Sequence, residues 1–126
     1  MTTATRQWSN RALWFAVGGG PIAWSVDTLV AIAIDHDYCA HGARPSGGPA
    51  TAALIGVSLA AVIVTVLAGL TGWRTLTALG EDTGLGDTDV DRRRFMARFG
   101  LVISALMLFG ILLRMITVLF LSPAAC

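Results

Sequence analysis

Three long apolar runs, broken by two short polar stretches, set the pattern of this chain. They occupy residues 12–34, 50–73 and 95–121. The first carries one charge, Asp27, and the second carries none. The third holds Arg98 near its start and Arg114 well inside. At about 1.5 Å of rise per residue each run crosses a hydrocarbon core of ~30 Å as a helix. A bilayer interior forces backbone groups to bond within their own segment, and length separates these runs from buried strands. The expected fold is an all-α integral membrane protein with three transmembrane helices in one membrane domain.

Composition agrees with the pattern. Hydrophobic residues make up 55% of the 126 residues and charged residues 13%, against about 25% charged in a soluble domain. That balance excludes a disordered chain, a nucleic-acid-binding arm and an ordinary soluble enzyme. The net charge of +1 favours neither an anionic nor a cationic partner. The first run exceeds the apolar core of a cleaved signal peptide, so it is expected to stay as a span.

All nine basic residues are Arg, and their placement suggests an orientation. Arg6 and Arg11 precede span one, and Arg74, Arg92, Arg93 and Arg94 lie in the second loop, residues 74–94. The first loop, residues 35–49, has only Arg44, and the C-terminal tail has none. The positive-inside rule then puts the N-terminus and the second loop in the cytoplasm, with the first loop and the C-terminus outside. Trp8, Trp14 and Trp73 fall near the inner boundary in this arrangement, as an aromatic belt would. The expected location is a bacterial inner membrane.

The two deep charges are the first candidates for function. Asp27 lies roughly 22 Å past Ala12 along span one, and Arg114 roughly 25 Å past Ala97 along the parallel span three. Intramembrane charges normally pair, so a salt bridge between Asp27 and Arg114 is expected. The competing reading is a proton or ion path through Asp27. Pairing is preferred, because Arg does not deprotonate and keeps a counter-charge in place.

The first loop holds the next candidates. Cys39 and Cys126 would emerge on the same outer face, where an oxidising compartment permits a disulfide. Such a bond would close a long loop and contribute roughly 2–4 kcal/mol. The weaker alternative is a copper or zinc site at His36, Cys39 and His41, beside Asp35 and Asp37. The second loop carries Asp87, Asp89 and Asp91 at calcium-loop spacing, but Arg92 replaces the required Gly and Arg98 the bidentate Glu. These acids are expected to cap the helix that enters span three.

Gly18, Gly19, Gly20 and Pro21 form the most unusual local sequence, followed by Trp24. Proline removes a helical hydrogen bond, and glycines admit a second backbone. A kink with tight internal packing competes here with a docking notch for a partner helix. Span two adds small residues four apart at Ala52, Gly56 and Ala60, and again at Ala61, Thr65 and Gly69; span three adds Gly100 and Ser104. Three spans are not expected to bury all these faces, so partner docking is assigned to Gly18, Gly19, Gly20, Pro21, Trp24, Gly56 and Ala60.

No serine has a base and an orienting acid beside it in sequence, and there is no phosphate loop and no haem-attachment motif. No catalytic residue and no cofactor is expected. The run from Gly20 and Pro21 to Trp24, the Tyr38-Cys39 pair, Arg94-Phe95 leading span three, and the terminus with Pro123 and Cys126 are together similar to a group of small three-helix bacterial membrane proteins. Those proteins are associated with haem-copper cytochrome oxidase systems. The group often has His where Asp27 stands and Gln where Arg114 stands, so a joint change would suit pairing. The resemblance implies a non-catalytic accessory subunit or assembly factor of a terminal oxidase, without a redox centre of its own. The implied partners are respiratory oxidase subunits and the lipid bilayer, with no nucleic acid. Two other classes fit the residues alone: a homo-oligomeric pore of the holin kind, and a copper- or zinc-handling factor acting through the first loop.

Overall fold

In a computed structural model of the protein the described residues are 3–41, 48–80 and 88–120. They form three helices: α1 (Thr3–Ala40), α2 (Pro49–Gly80) and α3 (Thr88–Phe120). Each helix packs against both others. Within them three stretches are long and apolar enough to cross a membrane: Asn10–Ala40, Pro49–Leu79 and Thr88–Phe120.

Every helix outruns its apolar core. α1 continues past residue 34 through Asp35, His36, Asp37, Tyr38 and Cys39 to Ala40, so the first part of the expected first loop is helical. α2 runs on from Trp73 to Gly80, and α3 begins at Thr88, so both ends of the expected second loop are helical. Hydropathy marks where a helix can meet lipid, and says nothing of how far it extends into water. Pro49 opens α2, where its missing N–H costs nothing. Asp89 and Asp91 sit in the first turn of α3 and suit the positive end of its dipole. Asp87, expected to help cap this helix, lies outside the described residues.

Small residues line the inside of the bundle. The buried apolar positions are mostly alanines, Ala16, Ala23, Ala31, Ala50, Ala61, Ala68 and Ala97, joined by Leu13, Leu54 and Ile111. Large side chains point outward; Trp14, Ile22, Leu29, Phe95, Leu106 and Phe109 are each more than half exposed. This reverses the size order of a soluble core. Lipid tails are as apolar as leucine, so helices gain by close backbone approach instead of by hiding large side chains.

The closest approach joins α1 and α3. A Cβ added to Gly100 would stand 2.8 Å from the Ala16 carbonyl oxygen and 3.2 Å from the Val17 nitrogen. A Cβ on Gly20 would stand 3.3 Å from Ser104 Cα, and one on Gly72 would stand 3.2 Å from the Ala97 carbonyl oxygen. α1 continues as helix through Pro21, and the Ser25 hydroxyl donates to the Pro21 carbonyl at 2.8 Å. Higher up, Ile111 fills the space between Ala23 and Ala61.

Gly100→Ala drives a methyl group into backbone that has no rotamer to yield, and should cost about 1–3 kcal/mol. Gly56 has nothing within 4 Å of its would-be Cβ, so Gly56→Ala should leave the melting temperature in detergent unchanged or slightly raised. Thermal unfolding followed by circular dichroism compares the two.

Candidate functional site

The three helices meet in one polar cluster beyond Ile111. Asp27 from α1 is 2% exposed, Ser58 from α2 is 7% exposed, and Arg114 from α3 is half-buried. The periodicity places them there. Asp27 continues the inward row of Ala16, Gly20 and Ala23 on α1; Ser58 continues the row of Leu54 and Ala61 on α2. Arg114 follows Ile111 by one turn on α3.

Both carboxylate oxygens of Asp27 have donors. Arg114 Nη1 donates to Oδ2 at 2.7 Å, and Ser58 Oγ donates to Oδ1 at 2.7 Å. Arg114 Nη1 also reaches the Asp27 backbone carbonyl at 3.0 Å. One guanidinium nitrogen therefore grips both the side chain and the main chain of α1. The structure thus brings Asp27 and Arg114 together across spans one and three. Its chemical consequence is a pinned ion pair: the carboxylate has a cation on one oxygen and a hydroxyl on the other. A proton moving through Asp27 would have to displace one of these donors. Asp27 also forms part of the floor of a groove of ≈ 400 Å³ between α1 and α2, whose other walls include Ile22, Val26, Val57, Ala60 and Val64.

Ser58 is the member that the sequence reading missed. It lies eight residues into span two, while Asp27 lies seven from the end of span one. In antiparallel helices these are matching depths of about 12 and 11 Å, so the signal was present. It is a hydroxyl in a span free of charge, at the level of the acid.

The glycine-rich segment needs correction as a docking notch. A Cβ on Gly19 would stand 2.9 Å from Ala68 Cβ, and Gly20 abuts Ser104; both glycines are filled from within the chain. Trp24 lies over Gly110, whose would-be Cβ is 3.5 Å from Trp24 Nε1. Pro21 and Gly18 are half-buried, and a Cβ on Gly18 would meet Ile22 of its own helix alone. Of the assigned docking residues, Trp24 on α1 and Gly56 and Ala60 on α2 stand exposed, together with Ala52. The other α2 row is consumed inside: Ala61, Thr65 and Ala68 are buried.

His36 and Cys39 ride exposed on the last turns of α1, and His41 follows it. His41 Nδ1 sits 2.8 Å from the Asp37 carbonyl and 3.5 Å from the Asp37 carboxylate. Among the described residues no three His, Cys, Asp or Glu side chains are grouped to hold a metal ion. Cys126 lies outside the described residues, as do Gly42, Arg44 and Pro45 of the first loop. With this geometry in view, the chain matches no protein-family model, no curated protein and no solved structure.

Removing one partner strands the other's charge. Arg114→Gln should destabilise by about 3–5 kcal/mol, and the double variant Asp27→Leu/Arg114→Leu should recover most of that loss. Ser58→Ala deletes a donor to a charged group and should cost about 1.5–3 kcal/mol. A double-mutant cycle on melting in detergent checks all three; additive single losses would mean that the pair is not coupled.

Proposed function

We propose that this chain is a non-catalytic accessory subunit that docks on a larger respiratory membrane complex and stabilises it, with a haem-copper terminal oxidase as the partner. The observation that carries the docking is the exposed row Ala52, Gly56 and Ala60 on α2. Small residues facing lipid gain nothing over leucine, whereas facing another helix they allow close contact. The choice of an oxidase rests on the sequence resemblance alone. The internal charge cluster supports a structural role over a catalytic one, since its donors and acceptors satisfy one another.

In this reading the protein is a multi-pass component of a bacterial inner membrane. Its N-terminus and the ends of α2 and α3 that meet residues 81–87 face the cytoplasm, and its C-terminus faces outward. The argument is the arginine asymmetry, together with exposed Trp14 and Trp73 at that end. A disulfide between Cys39 and Cys126 belongs to the same proposal. No free cysteine stands among the described residues, and these two are the only cysteines of the chain.

Purification from native membranes in mild detergent tests the reading. Co-migration with haem absorbance, lost in Gly56→Leu while the melting temperature holds, is the expected result. Self-association that leaks ions from vesicles would instead identify a pore. Stoichiometric copper lost on Cys39→Ser would identify a metal-handling factor.

A further inference from the structure

A second concavity, of ≈ 230 Å³, opens between α1 and α3 at the end where both helices begin. Buried Leu13 and half-buried Met96 give it an apolar wall. Asn10, Arg92, Arg93 and Asp89 supply its polar lining, and Trp14, 65% exposed, stands at its edge. The pocket straddles the level where polar sequence gives way to apolar. The apolar stretch of α1 starts at Asn10, and Phe95 follows the arginines on α3. It shares no residue with the Asp27 cluster and does not depend on any protein partner.

We propose that this pocket binds the headgroup of an anionic glycerophospholipid bearing free hydroxyls, of the phosphatidylglycerol type. Basic pockets between transmembrane helices at the headgroup level attract lipid phosphates. Arginine presents a planar fork to phosphate oxygens, which lysine does not, and this chain has no lysine at all. Arg92 is exposed and has room to turn toward a phosphodiester, while Arg93 forms part of the wall. Two guanidiniums against one carboxylate leave a single positive charge, which matches one phosphodiester. Asp89 lines the same pocket and repels a second phosphate. Asn10 can donate to the phosphate or accept from the hydroxyl. The acyl chains then leave over Leu13 and Met96 toward the apolar faces, with the Trp14 ring at the interface where tryptophan is favoured.

The test uses the full chain, stripped of lipid in detergent, with binding read by native mass spectrometry and by the shift in melting temperature. The added probes are phosphatidylglycerol, phosphatidylethanolamine and soluble glycerol phosphate. Phosphatidylglycerol should bind and stabilise above the other two. Arg92→Gln should weaken that binding by about fivefold, with an unchanged lipid-free melting temperature because the side chain is exposed. Arg74→Gln, exposed at the same end on α2 and outside the pocket, should leave binding intact. Three results would overturn the proposal: equal binding of both lipids, soluble glycerol phosphate matching the lipid, or Arg74→Gln costing as much as Arg92→Gln.

Discussion

A carboxylate sealed inside apolar helices has to be answered by a cation, and here that demand fixes the bundle. Asp27 is 2% exposed, in a stretch of α1 that is apolar enough to span a membrane. A lone ion there costs several kcal/mol. Its answer comes from both other helices, Ser58 on α2 and Arg114 on α3. Unlike apolar packing, these contacts are directional. Sliding α3 by one helical turn moves it about 5.4 Å, which no 2.7 Å contact survives. The cluster therefore sets rotation and depth for all three helices at once. The extra bond from Arg114 to the Asp27 carbonyl ties the pair to backbone as well as to side chain.

The rest of the interior works in the opposite way. Ala16, Gly20, Gly72, Gly100 and Ser104 bring backbones to within a methyl group of each other, and they do so with little directionality. Dispersion between close surfaces is what holds membrane helices once lipid competes for every apolar face. The two devices need each other. Close approach at the glycines sets the helices near enough for Arg114 to reach Asp27, and the ion pair selects one register among the many that small residues would permit. Ile111, 1% exposed, packs with Ala23 and Ala61 between the two regions.

Much of this was legible in residues alone. Three apolar runs of sufficient length gave the three helices, because the bilayer leaves no other backbone solution. The depths of Asp27 and Arg114 followed from counting residues along parallel spans. The ends were not legible: residues 35–40 carry Asp and His yet remain helical, since a helix leaving the membrane meets water without penalty. The division within the glycine run was not legible for a related reason. Composition shows that Gly18, Gly19 and Gly20 are small, but consecutive positions turn about 100° apart on a helix. Gly19 and Gly20 turn inward while Gly18 meets only its own helix, and that division depends on where α2 and α3 stand. Cys126 and residues 42–47 of the first loop fall outside the described residues, so the disulfide rests on sequence and compartment.

The same angular argument separates the two small-residue rows of α2. Ala61, Thr65 and Ala68 face the bundle, and Ala52, Gly56 and Ala60 face away from it. Ala60 and Ala61 are neighbours in sequence but about 100° apart around the axis, so no single partner inside this chain can use both rows. The inward row packs inside the bundle, where it meets Gly19 and Gly20. The outward row has no such use among the described residues, although leucine in its place would serve a lipid contact equally well. For α2 the inner row serves its own bundle, and the outer row is the surface that the proposed accessory role would use.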